Sequence, residues 1–502
     1  MKHTIQVLLF LTIVFSSLFF LQTFVGQQVL GILSIVFTTL AILIGLVIFL
    51  ENRHPTKTIT WLIVLGAFPV IGFIFYIIFG RNFRKKRMFK KKAMVDEQTF
   101  SVIEDIQNTY TIPRFLREHQ IRLYNLAHRL GKSPVTTHTF SEILTNGEHT
   151  YSKIIEELSK AKHHIHLEYY IVRDDQIGNV IKNLLIQKAN EGVEVRFLYD
   201  SVGSWKLSKA YKEDLRDAGI EMVPFFPVKL PFLNHKVNFR NHRKIIVIDG
   251  TKGFIGGLNI GDEYLGRNPS FGFWRDTHLF IEGEAVRSLQ LIFLQDWYYI
   301  TNKSLLTKEY LTPDHKFEDK FGGVQLVAGG PDNEWEIIKS LFFEMISSAK
   351  RSICIATPYF IPDVDILTAI KIASLSGVDV KILIPKRPDK RIVFYASRSY
   401  IPELLEAGVK VYEYEKGFMH SKYLTIDGEL ASIGTSNMDM RSFHLNFEVN
   451  AFLYKTKSTA NLVKEFENDI ENSNEIKLEI FNKRPVKQRI IESLARLLSP
   501  LL

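Results

Sequence analysis

The chain has 502 residues, 46% of them apolar, and a formal net charge of +9. A single cysteine, Cys354, excludes an internal disulfide and a thiol-held zinc or iron–sulfur centre. Eight basic residues and no acid crowd into "RNFRKKRMFKKK" (81–92), so the remainder is close to neutral and lacks the broad basic face of a nucleic-acid binder.

From 4 to 50 no residue is charged. At about 1.5 Å per residue that is roughly 70 Å of helix, more than one bilayer crossing. The break "GQQ" (26–28) predicts helices near 5–25 and 29–50. A third uncharged run, 58–80, carries Trp61 and Tyr76 toward its ends. A transmembrane region of two or three helices is therefore expected over 1–80. "TFVGQQ" offers no small-x-small cleavage site, against a signal peptide. The basic segment opens an expected juxtamembrane linker over 81–130. It attracts anionic lipid at about 1 kcal/mol per basic residue and, by the positive-inside rule, puts the following domains in the cytoplasm at the cell membrane.

Helices and strands then alternate twice. "SKIIEELSKAKHHIHLEYYIV" (152–172) and "EGVEVRFLYD" (191–200) recur as "EIIKSLFFEMISSAKRSICIATPYFI" (336–361) and "SGVDVKILIP" (376–385). The fold class read from this is α/β. Two duplicated domains, 131–310 and 320–482, carry mixed to largely parallel sheets with helices on both faces, around a shared cleft. A C-terminal amphipathic helix follows over 484–502, with Val486, Ile490, Ile491, Leu494, Leu497 and Leu498 on one face. That stripe is expected to dock on the protein's own core. The alternative is interfacial burial, with Lys487, Arg489 and Arg496 near headgroups.

The duplication includes chemistry. "HRKIIVID" (242–249) and "HSKYLTID" (420–427) share one spacing, and each is followed by an asparagine 17 residues after its histidine, Asn259 in "GGLN" and Asn437 in "GTSN". On a strand, His242 and Lys244 share a face, as do His420 and Lys422, while Arg243 points away. One such pair reads as a solvated strand end; two in matched register read as a site. If the halves pack about a pseudo-twofold axis, the two strand ends meet in one cleft. Lys244 and Lys422 then supply positive charge and Asn259 and Asn437 amide donors to a phosphate. The histidines are left for double displacement. One attacks phosphorus; the other protonates the leaving oxygen and then activates the incoming hydroxyl. No metal or other cofactor is required. Asp276 in "FWRDTH" and Glu448 in "FHLNFE" are candidates to orient the histidines, in either pairing. Asp249 and Asp427 complete the motifs as catalytic candidates. Lying an odd number of residues past the lysines, they face away from the cleft, and a structural role fits them equally.

These paired motifs resemble the phospholipase D superfamily over most of the chain after residue 130. "ENRHPTKTITWLIVLGAFPVIGFIFYIIFGRN" (51–82), "PFLNHKVNFRNHRK" (231–244), "DMRSFHLNFE" (439–448) and "LARLLSPLL" (494–502) resemble bacterial cardiolipin synthases within it. The resemblance implies reversible phosphatidyl transfer between two phosphatidylglycerols with release of glycerol, His242 as nucleophile and His420 as acid/base. The partners it implies are phosphatidylglycerol and anionic membrane lipid, not nucleic acid, with homo-oligomerisation left open. A hydrolase releasing phosphatidic acid would carry the same motifs. A tethered nuclease would need a basic, aromatic-lined groove, and a silent scaffold would have lost motif residues.

Overall fold

The computed structural model describes residues 27–50, 55–67, 72–73, 76, 89, 92, 115–227, 238–311 and 322–502. They fall into two compact units. The N-terminal unit contains the helices Gln27–Leu50 and Pro55–Ala67. Ala41, Ile48, Leu65 and Tyr76 are buried between them, with Trp61 edge-on to Tyr76 at 5.2 Å. Ile35, Ile42 and Phe49, seven residues apart, are each about two-thirds exposed. Among the described residues no helix is long and apolar enough to cross a membrane; the side chains of the first helix are described without a break only over 35–50. The helix expected near 5–25 lies outside the described residues, as does most of 81–92.

The second unit holds the duplication. Its first half contains β1 (Thr139–Thr145), β2 (His164–Tyr169), β3 (Glu194–Asp200), β4 (Glu221–Phe225), β5 (Arg240–Asn241), β6 (Ile245–Ile248), β7 (Lys252–Gly256), β8 (Phe273–Arg275) and β9 (Thr277–Gly283). The second contains β10 (Gly323–Gly329), β11 (Ser352–Ala356), β12 (Phe360–Ile361), β13 (Asp379–Pro385), β14 (Lys410–Tyr414), β15 (Gly417–Met419), β16 (Tyr423–Ile426), β17 (Leu430–Gly434), β18 (Met438–Asp439), β19 (Asn446–Tyr454) and β20 (Ser473–Glu475). The main sheets run β1-β9-β7-β6-β2-β3-β4 and β10-β19-β17-β16-β11-β13-β14-β20, the same order with one added edge strand.

Each sheet is mixed, not largely parallel. β2, β3 and β4 are parallel, but β6 is antiparallel to both its neighbours, as is its counterpart β16. The cause is the dipeptide ending each motif. Asp249 and Gly250 have φ of 52° and 66°, Asp427 and Gly428 of 55° and 70°. Positive φ at both central turn residues is what a type I′ hairpin needs, so the chain doubles back instead of crossing over.

Burial on both faces of β6 has a different origin from the one expected. Ile246 and Ile248 face the helices of their own half, Asn146–Ser159 and Gln176–Asn190. Ile245 and Val247 enter a core shared with Ala356, Leu383, Tyr423, Ile433 and Val449 of the other half. The two sheets thus pack face to face. Each fully buried side chain there contributes about 1.5–3 kcal/mol, and the shared core fixes the pseudo-twofold arrangement.

Two helices depart from expectation. Helix Glu118–Gly131, placed by sequence at the end of a linker, buries Leu123, Tyr124 and Ala127 in the second half's core. Their i, i+1, i+4 spacing makes the apolar face. In helix Val486–Leu497 the inward side is Glu492 and Ala495, not the apolar stripe. Arg484 and Gln488 hold the Glu492 carboxylate at 2.7 and 3.0 Å, while Arg496 bonds Glu403 at 2.6 Å and lies over the Tyr400 ring. Anchored by these ion pairs, the helix leaves its leucines outside.

Candidate active site

The two motifs meet through a pair of short inter-half ladders. β5 pairs in parallel with the start of β19, and His242 N–H donates to the Phe447 carbonyl at 2.9 Å. β8 pairs in parallel with β15, and His420 N–H donates to the Arg275 carbonyl at 2.7 Å. Each histidine is therefore bonded to the residue just before the other half's acid. The side chains complete the exchange. His242 Nδ1 lies 2.9 Å from Glu448 Oε2, and His420 Nδ1 lies 2.6 Å from Asp276 Oδ2. The carboxylates orient the histidines crosswise, each half supplying its partner's.

A carboxylate on Nδ1 fixes the proton there and leaves Nε2 with the lone pair that chemistry uses. Burial pushes His242 down to about 4, Glu448 opposing and Lys244 adding to the shift. Burial followed by Lys422 takes His420 down to about 3. Both imidazoles are thereby kept neutral at pH 7. Burial alone would raise both acids, but His242 and Lys244 hold Glu448 below the usual range, and His420 and Lys422 do the same for Asp276.

Lys244 and Lys422 are almost fully buried and reach back to bond the carbonyls of His242 and His420 at 2.7 and 2.6 Å. Burial holds Lys422 down to about 8 and Lys244 well below its ordinary value. The charge of Lys422 acts on His242 and that of Lys244 on His420. The four groups therefore form one electrostatic site.

The remaining candidates divide. Asn259 is committed within the protein, its Oδ1 accepting from Ile171 N–H at 3.1 Å and its Nδ2 donating to the Tyr264 hydroxyl at 2.9 Å. Asn437 Nδ2 donates to Asp439 at 3.2 Å, and its buried Oδ1 has no hydrogen-bond partner among the described residues. The structure does not bring Asp249 and Asp427 to the histidines. They lie past the far ends of β6 and β16, where Asp249 accepts the backbone N–H groups of Lys162, His163 and His164 at 2.8–3.0 Å. Asp427 does the same for Lys350, Arg351 and Ser352 at 2.7–2.9 Å. Asp249→Ala strands three donors and is expected to cost about 2–4 kcal/mol of stability. Thermal unfolding in detergent would show this, while turnover per folded molecule should change less than threefold.

Sequence reasoning missed the arginines that hold the acids in place. Arg243, the residue pointing away from the cleft, donates from Nε to the Glu448 carbonyl at 3.1 Å and is ion-paired with buried Asp296. Arg275 donates to the Asp276 carbonyl at 2.8 Å and is clamped by Asp469 at 2.7 and 2.9 Å. The signal was an arginine beside each motif residue, but the partner acids lie on distant helices. Lys92, expected at the membrane surface, is instead buried on Asp296 and Asp332 at 3.3 and 2.9 Å. Aromatic rings complete the walls, Tyr170 edge-on to His242 at 5.0 Å and Trp274 beside His420 at 4.9 Å.

A crossed pair of carboxylate–histidine units with buried lysines on a duplicated α/β fold defines a phospholipase D-like protein. The "Cardiolipin synthase, PLD-like domain" family model matches residues 154–297 and 342–470, and the "Phospholipase_D-nuclease N-terminal" model matches 36–81. A cardiolipin synthase of Geobacillus sp. (strain WCH70) is 64% identical over the full length of both chains. Cardiolipin synthase 2 of Bacillus cereus is 64% identical over 93% of this chain and 91% of its own. The crystal structure of phosphatidylserine synthase from Haemophilus influenzae shares the fold, with a TM-score of 0.57 at 17% identity over 76% of this chain and all of the other. The chain belongs to the cardiolipin synthase family.

Proposed function

We propose that the protein joins two phosphatidylglycerols into cardiolipin, releasing glycerol, through a phosphohistidine on His242. The observation that carries this is the crossed pairing of each histidine with the other half's carboxylate. It gives two imidazoles with equivalent surroundings, one for each face of the displacement. Neutral His242 attacks phosphorus from Nε2, with Glu448 stabilising the charge that develops on the ring. His420 protonates the departing glycerol oxygen. Burial, with Lys422 and Lys244 adding to it, disfavours the imidazolium of His420; the phosphodiester anion and Asp276 both oppose that shift and support the protonated ring. His420 then takes the proton of the incoming lipid hydroxyl, and the P–N bond breaks as the new ester forms.

Lys244 and Lys422 neutralise the non-bridging oxygens and Asn437 donates to one of them; Asn259 joins it on releasing Tyr264. No cofactor enters the scheme. In this reading Asp249 and Asp427 are turn-formers, and the two catalytic domains span 131–310 and 320–482. The lipid substrate agrees with uncharged N-terminal helices, two or three of them crossing the cell membrane with the catalytic unit on the cytoplasmic side.

The test is purified protein with headgroup-labelled phosphatidylglycerol in mixed micelles. Cardiolipin and glycerol in equal amounts support transfer. Glycerol with phosphatidic acid alone would make the protein a hydrolase. Because Lys422 loses its charge as pH rises through about 8, kcat/KM should fall above that pH. Lys422→Arg, which stays charged, should remove the contribution of position 422 and shift the alkaline limb, even at a lower maximum rate, leaving the limb set by Lys244, which burial also holds down.

A further inference from the structure

The exposed face of helix Val486–Leu497 has a definite composition. Val486, Ile490, Leu494 and Leu497, continued by Leu501, fall within one narrow stripe at i, i+4, i+8, i+11 and i+15. They are 49–76% exposed. Lys487 and Arg489, also exposed, flank the stripe on its two sides, and Lys483 lies just before it. The acid of the helix, Glu492, is turned inward and neutralised by Arg484. The neighbouring helix Arg391–Arg398 adds exposed Ile392 next to exposed Lys386, Arg387, Lys390 and Arg391. A contiguous apolar strip bordered by cations, with its carboxylate withdrawn, complements an anionic lipid surface.

The helix is also tied to the site. Just past it, the Leu502 carbonyl accepts Arg441 N–H at 2.9 Å, and Arg441 Nη1 donates to the Leu501 carbonyl at 3.3 Å. Arg441 lies two residues beyond Asp439, the partner of Asn437. Tyr400 fastens the same segment through Ser499 at 3.0 Å. We propose that Val486–Leu497 is an interfacial helix: its leucine stripe enters the acyl boundary of an anionic bilayer, Lys483, Lys487 and Arg489 take lipid phosphates, and the Arg441 clamp holds the Asn437 side of the site at the membrane surface. This rests on the lipid-transfer reading for its purpose, but its geometry is tested separately.

The full chain, with Cys354→Ala removing the native thiol, is spin-labelled at Leu494→Cys, at Leu497→Cys and, as a water-exposed control, at Lys160→Cys, then reconstituted in phosphatidylglycerol vesicles. Relaxation by a nickel chelate at 494 and 497 should be at least fivefold weaker than at 160, with oxygen the stronger relaxant. Equal nickel access at all three sites overturns the proposal. So does spin–spin broadening at 494, which would mean that a second copy covers the stripe. In parallel, the double variant Ile490→Glu, Leu494→Glu should lower the ratio of turnover on vesicles to turnover on dispersed short-chain phosphatidylglycerol at least tenfold; an unchanged ratio contradicts the proposal. Wild-type protein inert toward both lipids would remove the transfer reading, and label depth would still decide the membrane contact.

Discussion

His242→Ala and His420→Ala are each expected to cut cardiolipin formation by about 10⁴-fold or more, and the double substitution to cost little beyond either single one. The reason for non-additivity is that the histidines act on one phosphorus in sequence, so losing either already abolishes the route. The singles should part company when the leaving group changes. A phosphatidyl ester of p-nitrophenol departs without a proton, so His420→Ala should still release one equivalent of nitrophenol in a burst and then stall. His242→Ala should give no burst. Both measurements use the same quenched-flow record.

Glu448→Gln and Asp276→Asn are expected to lower the rate by about 10³-fold, since an amide no longer fixes the Nδ1 proton or balances an imidazolium. The crossed geometry sorts the two. Glu448 contacts His242, from the other half, so Glu448→Gln should suppress the nitrophenol burst. Asp276 contacts His420 at 2.6 Å, so Asp276→Asn should leave the burst and slow only turnover. A carboxylate acting on the histidine of its own half would give the reverse pattern. The pattern also bears on why neither domain suffices alone. Without the other half's β19, His242 loses both its backbone bond and its acid, and without β8 and the acid after it His420 loses the same.

Much of this was legible because the duplication repeats chemistry in register. His242, Lys244, His420 and Lys422 declared themselves by spacing, and Asp276 and Glu448 only as acids that follow each motif. What spacing cannot convey is which strand crosses to which half. Pairings such as Asn241 with Phe447 and Met419 with Arg275 span 144 residues or more, so the exchange of carboxylates stayed open. The sheet was misread for a local reason. Ile245–Ile248 has the apolar run of a parallel strand, but the Asp-Gly that follows is a hairpin signal and turns it antiparallel. The same Asp explains its own place in the motif, as turn residue and acceptor of three N–H groups. Buried charges were the other blind spot. Lys92, expected at the membrane surface, and Arg243, expected only to point away from the cleft, are both neutralised by buried Asp296, a grouping visible only once the fold brings them together. The C-terminal stripe failed for a related reason: periodicity identifies an apolar face but not what it meets.

The most direct measurement is to trap the covalent intermediate. His420→Ala is mixed with the p-nitrophenyl phosphatidyl ester, denatured at alkaline pH, digested and sequenced by mass spectrometry. The expected result is an acid-labile phosphatidyl adduct on His242, close to one per chain, absent from His242→Ala. An adduct on another residue, or full hydrolysis with none, would contradict His242 as the nucleophile and with it the double displacement.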